Sequence, residues 1–259
     1  MDKAKEKVKD FLLELFFPSF CLACQKEGVL LCDDCKSTLG ISEYNYCLCN
    51  KNSIRLPPQN SDSKAIASPR KNRDKNGKCS RCQDKKLSGL YFALPYQEKF
   101  LTKKLIHQFK YAPYLKTLAK DLASIVIEHL VLAKNNTEEL WKNSILTPVP
   151  MDIKKMKNRG YNQSAELAQE LLKTLKIPLM LDNLIKTKTT LPQMELSAKD
   201  RQENLKNAFL IKNPLEIKNK KIFLVDDVYT TGSTMEECAK VLRNAGAKQV
   251  WGIAIAREG

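Results

Sequence analysis

Ile222-Phe223-Leu224-Val225-Asp226-Asp227-Val228-Tyr229-Thr230-Thr231-Gly232-Ser233-Thr234 is the stretch on which the reading of this chain turns. Residues 222–225 are apolar and read as a short buried strand. Two adjacent carboxylates stand at its end, a Thr/Gly/Ser turn follows, and Met235-Glu236-Glu237-Cys238-Ala239-Lys240-Val241-Leu242 starts a helix. This arrangement suits a phosphorylated sugar. Backbone N–H groups of Thr231, Gly232, Ser233 and Thr234, at the positive end of the helix, can cradle a phosphate. Gly232 lets the backbone approach closely, and the hydroxyls of Thr230, Thr231, Ser233 and Thr234 add donors. Asp226 and Asp227 only accept, which fits ribose hydroxyls or a hydrated Mg²⁺. The competing reading is a buried strand that leads into an N-capped helix and binds nothing.

The surrounding residues alternate between strand and helix patterns. Residues 90–96 read as a strand. Residues 99–110 read as a helix with Phe100, Leu101, Leu105, Ile106 and Phe109 on one side, and 115–132 as another helix. A strand over 144–150 ends in prolines and a strong helix covers 162–175. Strands at 222–225 and 250–256 are joined by the helix that ends near Gly246. The pattern predicts an α/β fold, an open parallel sheet flanked by helices. Ligands of such sheets bind outside the strand C-termini. The 226–234 loop and the Thr147-Pro148-Val149-Pro150 loop are therefore expected to share one mouth.

Eight of the nine cysteines fall in the first third: Cys21, Cys24, Cys32, Cys35, Cys47, Cys49, Cys79 and Cys82. The pairs 21/24, 32/35 and 79/82 have the CxxC spacing that lets two thiolates of one turn reach a tetrahedral ion, while 47/49 is one residue short. Short repeated pairs in a chain with no sign of export favour zinc over disulfides. The simplest pairing puts one Zn²⁺ on Cys21, Cys24, Cys32 and Cys35 and a second on Cys47, Cys49, Cys79 and Cys82. Crossed pairings stay open. Four sulfurs leave no coordination position for substrate, so such sites are structural. Cys238 reads as a small buried hydrophobe. Residues 50–78, rich in Asn, Ser, Lys, Arg and Pro, read as a long flexible loop inside a cysteine-rich region spanning 1–89, ahead of an α/β domain over 90–259.

Net charge is +15, which attracts polyanions. Only 8 of the 44 basic residues are Arg, a bias that AT-rich coding also produces. Residues 1–17 mix Lys with acids and place Val8, Phe11, Leu12, Leu15 and Phe16 on one helical face. They lack the features of a secretory signal. No apolar run reaches membrane-span length, so no membrane span and a cytoplasmic location are expected. His107 and His129 lie on helical stretches away from any motif and read as packing or surface residues.

The 222–234 run resembles the PRPP-binding signature of type I phosphoribosyltransferases (PRPP is 5-phosphoribosyl 1-diphosphate). Tyr229 stands where an aliphatic residue is usual. Three further segments extend the likeness: Thr147-Pro148-Val149-Pro150-Met151, Arg159-Gly160-Tyr161-Asn162-Gln163, and Thr189-Thr190-Leu191-Pro192-Gln193 with Arg201 and Asn204-Leu205-Lys206-Asn207-Ala208-Phe209 downstream. Together with the cysteine pairs they resemble the ComF family, also called GntX-like or amidophosphoribosyltransferase-like, over nearly the whole chain. The long 50–78 loop and the shortened 47/49 knuckle depart from its pattern. The resemblance implies a zinc ribbon ahead of a phosphoribosyltransferase domain that binds PRPP with Mg²⁺. Asp226 and Asp227 would be the catalytic pair, and Thr230, Thr231, Gly232, Ser233 and Thr234 the phosphate loop. Pro148, Val149, Pro150 and Met151 would be the diphosphate loop, with Arg159, Lys188 and Arg201 as basic candidates beside it. The family name implies a role in DNA uptake during natural transformation, with a competence helicase as a partner. The alternative is a zinc-ribbon module for single-stranded DNA that uses the fold as a ligand site without turnover.

Overall fold

In the computed structural model, residues 18–43, 45–49, 55–56, 78–96, 100–111, 115–133, 138–188, 200 and 204–258 are described. The helix expected over 1–17, the 189–193 segment, Arg201 and most of the 50–78 loop lie outside them.

The elements run as α1 (Asp33–Ser37), β1 (Asn45–Tyr46), β2 (Arg55–Leu56), β3 (Gly89–Pro95), α2 (Phe100–Lys110), α3 (Leu118–Leu132), α4 (Glu138–Trp141) and β4 (Ser144–Pro148). They continue as α5 (Ile153–Arg159), α6 (Gln163–Leu175), β5 (Leu184–Lys186), β6 (Phe209–Ile211), β7 (Lys221–Tyr229), α7 (Ser233–Asn244) and β8 (Gln249–Arg257). Six strands form one sheet in the order β2-β1-β3-β8-β7-β4. The last four are parallel, as the alternating pattern predicts. β1 and β2 add an antiparallel ribbon that carries the cysteine region onto the β3 edge. β5 and β6 pair as a separate antiparallel unit that packs on α7.

β7 is apolar because both of its faces are covered. Phe223 and Val225 face a core shared with Tyr91, Phe109, Ile125, Leu171 and Ile253. Ile222 and Leu224 face a second core with Met235, Cys238, Leu242, Val250 and Ala254. Alternate side chains of one strand thus serve opposite layers, which explains a continuous apolar run. The second core also contains Cys47, Cys79 and Cys82, so the cysteine region is packed into the sheet's own interior.

Two boundaries differ from the expectation. β7 continues through the acidic pair, with Asp226 opposite Ala254, Val228 opposite Ala256 and Tyr229 opposite Arg257. α7 starts at Ser233 instead of Met235. Pairing with β8 carries the strand past its apolar residues, a tertiary effect that outweighs the local preference of Asp for turns. On its other edge β7 loses its partner early, because β4 ends at Pro148 opposite Val225. Beyond Val225 the β4 side of β7, which carries Asp226 and Asp227, has no strand partner among the described residues.

Candidate functional site

Local chemistry sets the loops around the acidic pair. Gly232 caps α7 with φ +76°, a left-handed conformation that side chains resist. A β-carbon there would also collide with the Tyr229 phenol. Within the loop the hydroxyls of Thr231 and Ser233 are 2.9 Å apart, and Thr230, Thr231, Ser233 and Thr234 are all half-exposed. The first-turn N–H groups of a helix lack intrahelical partners, so this end of α7 presents donors and the positive pole of the helix dipole.

The acidic pair is anchored from three directions. Asp226 Oδ1 accepts from Ser164 Oγ and from the Asp227 N–H, both at 2.9 Å. Asp227 Oδ1 accepts from the Val228 N–H at 2.6 Å and lies 2.9 Å from Lys110 Nζ. Burial pushes the Asp226 carboxyl up to about 7, and the Asp227 charge adds to this. Lys110, the Asp227 N–H and Ser164 offset it only in part. For Lys110, burial pulls the ammonium down, but the Asp227 charge and hydrogen bond, with help from Asp226, leave it raised. Lys110 therefore supplies the positive charge that compensates the Asp227 carboxylate. Behind the pair, burial, helped by the Asp226 charge, keeps the Cys238 thiol well above its usual range, in keeping with the packing role expected for it.

The start of α6 links this pair to the 148–151 loop. Asn162 caps the helix by accepting from the Ser164 N–H, and its Nδ2 donates to the Val149 carbonyl at 3.1 Å. Val149 N in turn donates to Val225 O at 2.8 Å, so this loop is tied to β7 one residue before the acidic pair. The loop then enters α5, capped by Asp152. Arg159 Nη1 donates to Gln163 Oε1 at 3.1 Å and its guanidinium lies 5.4 Å from the Tyr111 ring centre. The Tyr161 hydroxyl and Gln163 Nε2 both donate to the Phe109 carbonyl, which fixes the end of α2 and so Lys110.

Asp226, Asp227, Thr230–Thr234, the Pro148–Met151 loop and Arg159 thus stand on one connected framework. Lys188 is exposed, follows β5, and its Nζ donates to the Lys206 carbonyl at 3.4 Å. Lys110 and Ser164, which touch the acidic pair, were missed by the sequence reading, and Asn162 stood in a quoted segment without a role. Ser164 immediately follows the quoted Arg159-to-Gln163 segment, so reading one residue further finds it. Lys110 ends an amphipathic helix and carries no motif signal. His129 is buried, with Nδ1 2.6 Å from the Ser42 carbonyl, and its place in the packing matches expectation.

The cysteines form two sets of four, 21/24/32/35 and 47/49/79/82, with the sulfurs of each set within 4.8 Å of one another. Zinc–sulfur bonds of about 2.3 Å at tetrahedral angles require sulfurs about 3.8 Å apart. Cys24–Cys32 at 3.6 Å, Cys47–Cys82 at 3.5 Å and Cys49–Cys79 at 3.7 Å meet this. The shortened 47/49 knuckle therefore reaches the same geometry as the others. In each set one thiol is lowered: against burial, backbone N–H groups bring Cys21 and Cys47 to about 6. Cys35, by its thiol's hydrogen bonds to Cys32 and Cys24, and Cys82, by burial and then by Cys47, are driven up. Four cysteine sulfurs gathered this closely are the donor set that Zn²⁺ takes.

Residues 160–258 match the phosphoribosyl transferase domain family. The chain is 42% identical over 157 residues to Competence protein F of Haemophilus influenzae, covering 58% of this chain and 66% of that protein. It is 36% identical over 149 residues to DNA utilization protein YhgH of Escherichia coli K12, covering 57% of this chain and 64% of that one. With Competence protein ComFC of Streptococcus pneumoniae it shares 28% identity over 245 residues, 92% and 93% of the two chains. The matches to the first two thus span somewhat less than two thirds of those proteins. No helix among the described residues is long and apolar enough to cross a membrane. The chain thus joins a phosphoribosyltransferase-type sheet to two four-cysteine clusters that fit zinc, and it is similar to competence and DNA utilization proteins.

Proposed function

We propose that this protein binds PRPP with Mg²⁺ in the crevice at the C-terminal end of β7 and acts in DNA uptake. The observation that carries the reading is the convergence of the Asp226/Asp227 pair, the Gly232-capped loop and the Val149 loop on the one edge where β7 runs beyond its neighbour. In this reading the 5-phosphate takes the donors of Thr230 to Thr234, and the ribose hydroxyls take Asp226 and Asp227. The diphosphate lies along Pro148, Val149, Pro150 and Met151, with Arg159 beside it. Mg²⁺, held by the acidic pair together with the ligand, supplies charge compensation for the leaving diphosphate. The chain's own contribution is placement and electrostatics. Ser164 and Asn162 fix the carboxylate and the loop, and Lys110 neutralises Asp227 until the ligand's hydroxyls and cation take over. Lys188 and Arg201 are kept as basic residues of a cover over the diphosphate.

A second reading rests on α5, where Lys154, Lys155 and Lys157 are exposed directly after the 148–151 loop. This basic turn suits the backbone of single-stranded DNA, with a nucleotide end entering the same crevice and no turnover. A competence helicase is the partner such a module would serve.

Calorimetric titration of PRPP with Mg²⁺ into the wild type and into Asp226→Asn/Asp227→Asn separates the two. Binding by the wild type that is lost in the double variant supports the first reading. No PRPP binding, with salt-sensitive binding of a labelled oligonucleotide, supports the second.

A further inference from the structure

The second cysteine cluster is built into the supports of the phosphate loop, and the first is not. Tyr229 closes β7 opposite Arg257 of β8, and its phenol lies directly beneath Gly232. Arg257 is only 5% exposed. It donates Nη1 to the Cys47 carbonyl and Nη2 to the Cys49 carbonyl, both at 2.6 Å. Its guanidinium stands 5.8 Å from the Tyr229 ring centre and 5.5 Å from that of Phe92. On the other side Glu236, in the first turn of α7, accepts from the backbone N–H of Lys86 and, at 3.2 Å, of Leu87. These residues belong to the segment that leaves Cys79 and Cys82. One knuckle thus reaches the loop through Arg257 and Tyr229, and the other grips the helix that the loop starts.

The physical chemistry favours dependence. A dication on four thiolates carries a net charge of about −2, which suits a buried guanidinium beside it. Short knuckles have little core of their own, so metal binding there supplies their folding free energy. Without the ion the sulfurs no longer need to converge, and the Cys47 and Cys49 carbonyls that hold Arg257 lose their anchor. Tyr229 and Glu236 then lose the frame against which Gly232 and the α7 N-terminus are set.

We propose that the metal at Cys47, Cys49, Cys79 and Cys82 positions the phosphate loop through Arg257, Tyr229 and Glu236. By linkage, a phosphate ester bound in that loop holds this metal more tightly, and leaves the metal of the first cluster unaffected. Arg257, Tyr229 and Glu236 are positioning residues, since each acts through the loop. The linkage half rests on the reading of the loop as a PRPP site; the positioning half does not.

Hydrogen–deuterium exchange on the full chain, zinc-loaded and without ligand, tests the positioning half. In Cys49→Ser, amides 229–236 should exchange at least about tenfold faster than in wild type, because that segment opens locally. In Cys24→Ser they should keep wild-type protection, with α6 and β4 protected in both as a check on the fold. Unchanged protection of 229–236 in a Cys49→Ser protein that has lost one metal overturns the proposal, as does equal acceleration in the two variants. If Cys49→Ser does not fold, Arg257→Lys, which keeps the charge but loses the two-nitrogen fork, and Glu236→Gln replace it. Faster exchange at 229–236 with both metals retained is expected, and wild-type exchange in both overturns the proposal. PRPP with Mg²⁺ should slow zinc loss to a colorimetric chelator from the second cluster alone; equal release with and without bound PRPP overturns the linkage half. Should calorimetry find no PRPP binding, the proposed function fails while the exchange comparison still decides the positioning.

Discussion

The two cysteine clusters have the same ligand set and different surroundings. In the 21/24/32/35 cluster Cys24 is exposed and Cys35 half-buried, while Cys21 and Cys32 are buried. Its region packs Leu31 and Leu39 into the first core, away from the acidic pair. It meets α3 and β3 through a 3.0 Å ion pair between Lys36 and Glu128, the Ser42 carbonyl held by His129 and the Ser42 N–H donated to the Ala93 carbonyl. The 47/49/79/82 cluster lies in the core beside Met235 and Cys238, and its backbone is held by Arg257 and Glu236 at the mouth of the site. The lesson is that ligand spacing identifies the metal chemistry, while the embedding decides which other parts of the molecule depend on it.

The largest expected separation of the two is in stability. Cys82→Ser should lower unfolding free energy by several kcal/mol, on the order of a lost structural metal, and visibly more than Cys24→Ser. Thermal unfolding of the two variants, with zinc content measured in parallel, checks this; equal losses would erase the distinction. Next comes Arg257→Met, which removes two charge-assisted hydrogen bonds from a buried position and should cost about 2–4 kcal/mol in urea unfolding.

Lys110→Gln leaves the nearly buried Asp227 without its cation and should cost about 1–3 kcal/mol. The same change should strengthen Mg²⁺ binding at the acidic pair, since a competing positive charge is gone, and isothermal titration reads both signs. A pH effect follows from Asp226. Its carboxyl is raised to about 7 in the folded protein, so the stability it contributes is full below its unfolded value of about 4 and is lost as pH rises through 7. A ligand that needs the ionised form should release a proton on binding, and its affinity should rise up to about tenfold between pH 6 and pH 8. Asp226→Asn should abolish that rise, which separates it from titration of the ligand's own phosphate. The smallest effect is expected at a surface ion pair: Lys36→Ala should change stability by at most about 1 kcal/mol, because its partner Glu128 is 45% exposed.

Much of this was legible in the sequence because the signals are local. The 222–234 run carries its strand, its carboxylates and its loop in consecutive residues, and CxxC spacing is a property of one turn. The two metal sets came out in their simplest pairing, including the short 47/49 knuckle. What stayed hidden depends on distant contacts. Lys110 meets Asp227 where Phe109 is held by Tyr161, in the turn before α6, and by Gln163 at its start. Arg257 reaches cysteine carbonyls more than 200 positions away. Tyr229 was noted as out of pattern, and its reason is tertiary: the ring fills the space between Gly232 and Arg257. The extension of β7 through Asp226 and Asp227 likewise follows from its pairing with β8.

The most direct test is parallel calorimetry of PRPP with Mg²⁺ against two single variants, Cys24→Ser and Cys49→Ser, each folded and with its remaining metal bound. A wild-type dissociation constant for Cys24→Ser and one at least about tenfold weaker for Cys49→Ser is the predicted result. Equal affinities in the two would contradict the link between the buried cluster and the phosphate loop.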